Sequence, residues 1–249
     1  MVDFVGAGCG AADLITVRGM RLLQQADVVI YAGSLINPEL LSYTKEGCEL
    51  HNSAEMTLEE IISVIQSSEK AGRHTVRLQT GDLSLYGALR EQTDKLAGLG
   101  IPYRITPGVS SMFGAAAALK AEYTLPGVSQ SVIITRCTGR TEVPLSESIE
   151  SFAAHGCTMV IFLSAGMTEK VSTQLINGGF APDIPAAIVY KATHPDERVL
   201  RCTVGTLHET AVRNGISNTA LIIVGNVLGD EYELSKLYDK EFETGFRKV

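Results

Sequence analysis

Short apolar runs that stop at glycine alternate with amphipathic stretches along most of this chain, and no other feature restricts its fold as much. VDFVGA at the start, DVVIYA from Asp27 and TVRLQT from Thr75 have the length of strands buried on both faces, as in a parallel sheet. The segments between them have helical spacing. Leu14, Ile15, Met20, Leu22, Leu23 and Ala26 fall on one face, which predicts a helix over 14–25 with Asp13 on its N-cap side. Thr57 followed by Glu60 forms a capping box, so a second helix starts there and runs to Gly72. Residues 86–98 and the alanine-rich PGVSSMFGAAAALKA read as two further helices, with the strand YRIT between them.

After Glu122 the chain reads EYTLPGVS, a Pro/Gly segment with too few apolar repeats for either element. A domain junction there divides the chain into α/β domains over 1–122 and 123–249. SVIITR, TMVIFLS, PAAIVYK and TALIIVG are the expected strands of the second, with helices near 146–154, 168–177 and 206–213. The 249 residues are 45% apolar, enough to fill the cores of both. The last twenty residues carry ten charges and read as a solvated extension.

A formal charge of −7 argues against nucleic acid as a partner, because such proteins present a basic face. No apolar run reaches the length of a membrane span, and no leader pattern precedes the first strand, so a soluble, cytoplasmic protein is expected. Cys9, Cys48, Cys137, Cys157 and Cys202 are odd in number and form no CxxC, which suits free thiols in a reducing compartment. The five histidines are scattered with no i, i+3 or i, i+4 pair, and no metal site is expected.

Three glycine-rich stretches follow strands: GAGCGA at 6–11, GDLSLYG at 81–87 and PGVSS at 107–111. Loops at the carboxyl ends of parallel strands form ligand crevices, and glycine lets backbone approach a ligand closely, so three such loops point to one shared site. Each is equally well read as a tight turn. Gly6, Gly8 and Ala11 match the dinucleotide fingerprint, but the ribose-binding acid expected about 20 residues on is absent, since the second strand ends in Tyr31, Ala32 and Gly33. No G-K-[ST] follows any of the loops, and there is no G-x-S-x-G elbow.

Taken together, the GAGxG opening with DLIT, the GDxSxYG loop and the PGVSS helix start resemble the S-adenosylmethionine-dependent tetrapyrrole methyltransferases over nearly the whole chain. YAGSLINPELL at 31–41, HNSAEMTLEEI at 51–61, TLPGVSQSVIITR at 124–136 and VYKATHPDE at 189–197 are similar to the branch that methylates carbon 11 of precorrin-4 or cobalt-precorrin-4. The chain departs from the family pattern at Cys9, Ala11, Ala12 and Leu83, where GAGPGDPDL and GDPS are common.

The resemblance implies two α/β domains with the methyl donor in a cleft between them, and a homodimer. Donor contacts carried over are Cys9, Gly81, Asp82, Leu83, Leu85, Tyr86, Ser110 and Ser111, and from the second domain Met167, Tyr190, Lys191, Thr219 and Ala220. Asp82 is the candidate for a polar catalytic role, or for an Asx turn. Gly6, Gly8 and Gly10 are expected to face the macrocycle, with Arg18 and Arg136 beside its carboxylate arms, and Arg140 and Lys191 as further cations. The alternatives are another methyltransferase of the same fold, a nicotinamide or flavin oxidoreductase using the first loop, and a non-catalytic binding domain, which would leave the three loops unexplained.

Overall fold

A computed structural model describes residues 1–248. They form two compact units. The first is Met1–Ala115 together with Lys191–Glu197, and the second is Ala116–Tyr190 with the chain from Arg198 onward.

The first unit carries strands β1 (Val2–Gly6), β2 (Val28–Tyr31), β3 (Glu49–Asn52), β4 (Thr75–Gln79) and β5 (Tyr103–Thr106). They lie in the order β3-β2-β4-β1-β5, every pair parallel. The helices are α1 (Val17–Gln25), α2 (Leu58–Lys70), α3 (Leu89–Gly98) and α4 (Ser111–Leu119), the last crossing into the second unit. Because side chains alternate across a strand, neighbours in sequence feed different cores. Val5, Val29, Val76 and Leu78 pack with Leu23 of α1, while Phe4 and Ile30 pack with Ile62 and Ile65 of α2 and Leu96 of α3.

The capping box forms as expected: Thr57 Oγ1 accepts from the Glu60 amide, and Glu60 Oε2 accepts from the Thr57 amide at 2.7 Å. The first helix starts later than expected. A short 3₁₀ turn occupies Ala12–Leu14, and Thr16 rather than Asp13 caps α1, its Oγ1 accepting from Gly19 N at 3.1 Å. Leu14 is consequently exposed. The helix expected over 86–98 begins only at Leu89, because Tyr86 and Ala88 are in left-handed backbone conformations.

The second unit contains β6 (Val132–Arg136), α5 (Ile149–Ala153), β7 (Thr158–Phe162), α6 (Thr168–Asn177), β8 (Pro185–Tyr190), β9 (Arg198–Thr203), α7 (Leu207–Arg213) and β10 (Ala220–Val224). Its sheet runs β6-β7-β10-β8-β9, with β6 and β7 parallel and the remaining pairs antiparallel. Met159, Ile161, Leu175, Ile188, Leu207 and Ile222 are fully buried in its core. The helix near 146–154 contracts to the single turn of α5. Two strands, β3 and β9, are not expected from their sequences, ELHN and RVLRCT. Both lie at sheet edges, and their residues are only partly buried. The extension after Gly229 is mostly exposed, and Val249 lies outside the described residues.

Candidate active site

Strand order explains why the three glycine-rich loops meet. β4, β1 and β5 are adjacent and parallel, so the loops leaving their carboxyl ends emerge side by side. Gly8 and Gly81 pair through backbone, Gly81 N donating to Gly8 O at 2.9 Å and Gly8 N to Gly81 O at 3.3 Å. A Cβ on Gly6 would stand 2.6 Å from the Cα and N of Gly108 and 2.7 Å from the Gly81 carbonyl oxygen. Glycine is required there by the packing of one loop on another.

Asp82 ties the second loop to the third. Its Oδ1 accepts from the Ser84 amide at 2.9 Å and from the Ser84 hydroxyl, and its Oδ2 accepts from the Gly108 amide at 2.8 Å. Burial pushes the Asp82 pKa up, but the bonds from Ser84 and Gly108 outweigh it and hold the group below the usual carboxylate range. The Asx turn expected of Asp82 is present, and the carboxylate is ionised with three donors on it.

The other expected residues of this unit fall into two kinds. Leu83 is buried in the core beneath α2 and α3, and the buried Ser110 turns its hydroxyl back to accept from Met112 N, so these side chains are committed to the fold. Tyr86 is 45% exposed, and Phe113 in the first turn of α4 is 58% exposed, leaving aromatic surface beside the loops. Gly81, at φ 64°, has only ordinary contacts 3.7 Å from its Cβ position. None of the three loops contains a lysine or arginine.

Thr193, which sequence reasoning did not single out, secures the first loop. Its Oγ1 accepts from Ala11 N at 2.9 Å, and it lies 3.7 Å from the sulfur of the buried Cys9. A Cβ on Gly10 would run into Ala192 O and Thr193 Oγ1, each 2.5 Å away. Thr193 and Lys191 are both in the left-handed region, at φ 65° and 46°. Only the longer stretch VYKATHPDE, as a likeness, contained any signal of this.

In the second unit, register brings Arg136, Tyr190 and Ala220 to one end of the sheet. Arg136 is level with Phe162, and Tyr190 with Ala220, so the ends of β6, β7 and β8 and the start of β10 lie at the same end of the sheet. Met167 is half-buried against the core, and the exposed Thr219 is left-handed at φ 50°. The ring of Tyr190 lies 4.7 Å from the Arg198 guanidinium. Arg136 spends its guanidinium on backbone, donating to Thr141 O at 3.0 Å and Glu142 O at 2.7 Å. Lys191, which belongs to the first unit, pairs with Asp196 at 2.6 Å. Among the described residues Arg18 and Arg140 make no ion pair or hydrogen bond, and both are exposed.

Parallel strands delivering convergent glycine loops, followed by a second mixed α/β unit, define a recognisable class. Residues 1–208 match the tetrapyrrole (corrin/porphyrin) methylases, and the chain belongs to that family. It is 51% identical over 248 residues, covering 99% of this chain and 96% of the relative, to a cobalt-precorrin-4 C(11)-methyltransferase of Methanocaldococcus jannaschii. Identity to the enzyme of the same name from Priestia megaterium is 47%, covering 98% of this chain and 96% of that one. Among solved structures, a cobalt-precorrin-4 methyltransferase of cobalamin biosynthesis superposes with a TM-score of 0.90 at 45% identity, covering 92% of this chain and 96% of that one. A uroporphyrin-III C-methyltransferase from Thermus thermophilus, complexed with S-adenosylhomocysteine, gives 0.77 at 25% identity, covering 92% and 93%.

Proposed function

We propose that this protein transfers a methyl group from S-adenosylmethionine to carbon 11 of a precorrin-4 macrocycle in cobalamin biosynthesis. The cobalt-containing ring is the preferred substrate, because the relatives named for it stand at 51% and 47% identity and those named for precorrin-4 at 40% to 44%. The observation that carries the reading is a backbone cradle of three loops with no basic side chain. Such a cradle suits a donor without phosphate, held by amides, carbonyls and apolar contact. Tyr86 and Phe113 offer apolar surface for it, and Gly81 presents bare backbone.

S-adenosylmethionine supplies an electrophilic methyl on a sulfonium that is its own leaving group. The protein's task is therefore mainly positioning, which is worth a large part of a barrier when geometry is well set. Asp82, ionised and occupied by three donors, acts by holding the loops rather than by taking a proton. Gly81, Asp82, Leu85, Tyr86 and Ser111 form the donor set of the first unit. Met167, Tyr190, Lys191, Thr219 and Ala220 are assigned to the donor by resemblance, and Tyr190 and Ala220 are paired across β8 and β10. Arg18 and Arg140, exposed and unpaired among the described residues, are cations available to the macrocycle's carboxylates. A nucleotide-dependent oxidoreductase is disfavoured, since β2 ends in Tyr31 with no acid following.

We also propose a homodimer in the cytoplasm. The five cysteines are all free thiols, which suits a reducing compartment, and sedimentation should report twice 26.7 kDa. Turnover of cobalt-precorrin-4 and of precorrin-4 with carbon-13-labelled donor, read by NMR, tests the reaction. Label at carbon 11 is the expected result, and label at another carbon or none overturns it.

A further inference from the structure

The segment Tyr86–Ala88 is bent by two left-handed, non-glycine residues, Tyr86 at φ 55° and Ala88 at φ 47°. L residues occupy that region at a cost of about 1–2 kcal/mol each, so surrounding structure must hold them there. The holding groups are buried polar side chains on the inner side of the loop. Gln79, the last residue of β4, donates from Nε2 to the Gly87 carbonyl at 2.6 Å. Gln92, in α3, donates from Nε2 to the Ala88 carbonyl at 2.9 Å. Both side chains are buried.

Behind Gln92 stands Arg77 of β4, only 5% exposed. Its Nε donates to Gln92 Oε1 at 3.0 Å, and its Nη1 donates to Ile30 O at 3.1 Å and more weakly to Leu78 O at 3.4 Å. All of these acceptors are neutral. Burial lowers the Arg77 pKa to about 10, which still leaves the guanidinium charged at neutral pH. A charged donor on the amide oxygen of Gln92 polarises that amide and strengthens the bond from its nitrogen to Ala88. It also fixes which end of the Gln92 amide faces the loop.

We propose that Gln92, oriented by Arg77, and Gln79 are positioning residues for methyl transfer, holding the left-handed Tyr86–Ala88 turn in the shape that receives the donor. The proposal rests on the reading above that this loop belongs to the donor site. These residues act through the Gly87 and Ala88 carbonyls and touch neither reactant.

The test uses two substitutions in the full chain. Gln92→Glu keeps an acceptor for Arg77 but replaces the donor to Ala88 with a carboxylate oxygen. Gln79→Met removes the donor to Gly87 along with Gln79 Oε1, a buried acceptor that has no partner among the described residues. Calorimetry with S-adenosylhomocysteine, thermal melting and steady-state kinetics are measured on both and on wild type. The expected result is a loss of about tenfold in affinity for S-adenosylhomocysteine, a matching rise in donor KM, an unchanged macrocycle KM, and a cooperative melt near that of wild type. Wild-type affinity in either folded variant overturns the proposal. So does loss of the cooperative melt, which would assign the network to domain stability. Failure of the wild-type protein to bind S-adenosylhomocysteine would instead overturn the underlying reading of the loop.

Discussion

Asp82 accepts a hydrogen bond from the Gly108 amide at 2.8 Å, so a single carboxylate joins the loop leaving β4 to the loop leaving β5. The same side chain closes its own loop through Ser84, and Gly81 beside it pairs with Gly8 of the first loop. A change at any of these positions is therefore felt by all three loops.

Asp82→Ala removes the acceptor for three donors while leaving the sheet intact. Bonds to a charged group are worth about 1.5–3 kcal/mol each, so affinity for S-adenosylhomocysteine should fall at least about tenfold. Asp82→Asn, which retains one acceptor oxygen, should fall less. Calorimetry on the two variants checks the order, and equal losses would contradict the tie.

Glycines at the two ends of the junction should respond differently to alanine. Gly6→Ala places a Cβ against the Gly108 backbone, which has no flexible end to move aside, and should cost about 2 kcal/mol of stability. Gly81→Ala meets nothing closer than 3.7 Å and pays mainly for its left-handed backbone, about 1 kcal/mol. Gly81→Ala should nevertheless weaken donor binding, because its Cβ covers backbone assigned to the ligand. Urea unfolding and calorimetry together separate the two effects. The pairing of Gly8 with Gly81 further predicts that Gly8→Val disturbs donor binding as well as use of the macrocycle.

Thr193→Val leaves the Ala11 amide without its acceptor and should destabilise the first loop, whereas Thr193→Ser retains the hydroxyl and should behave as wild type. Hydrogen exchange at Ala11 is the direct readout. Faster exchange in the valine variant alone is expected, and equal exchange in both would remove Thr193 from the loop's support.

At the opposite end of the sheet, Asp3 is 1% exposed and accepts from Arg104 Nε and Nη2, each at 2.9 Å, with His74 Nε2 at 2.7 Å. Burial pushes its pKa up, yet the bonds from Arg104 and His74 prevail and hold it below the usual carboxylate range. A carboxyl group whose pKa is lower in the folded state stabilises the fold above its unfolded pKa, and that stability is lost as pH falls through the folded value. Asp3→Asn should therefore cost about 1–2 kcal/mol at neutral pH, moderated by the exposure of Arg104. The gap to wild type should close below about pH 4. Thermal melting across this range checks the sign. A gap that widens in acid would contradict it.

Elements whose formation depends on local pattern are legible in the sequence. The apolar runs of β1, β2, β4, β7, β8 and β10 are buried on both faces, and the Thr57–Glu60 box is a contact three residues apart. β3, whose ELHN holds a single apolar residue, and β9, broken by Arg198 and Arg201, carry no apolar run to read, and as edge strands half open to water they need none. The start of α1 departs from expectation because Asp13 and Thr16 are both good caps, and only the path of the chain through Ala12–Leu14 selects between them.

Sequence alone determined that glycine-rich loops follow buried strands, that no basic side chain lies within them, and, by resemblance, the family to which the chain belongs. Tertiary structure decided which loops touch, because strand order is set by long-range packing and brings β4, β1 and β5 together from positions up to a hundred residues apart. It also turned the side chains of Leu83 and Ser110 inward, drew Thr193 onto the first loop, and buried Arg77 behind Gln92. None of these can be read from spacing. A hydrogen bond across 182 residues, such as that from Ala11 to Thr193, exists only once the backbone on both sides has been fixed by other contacts.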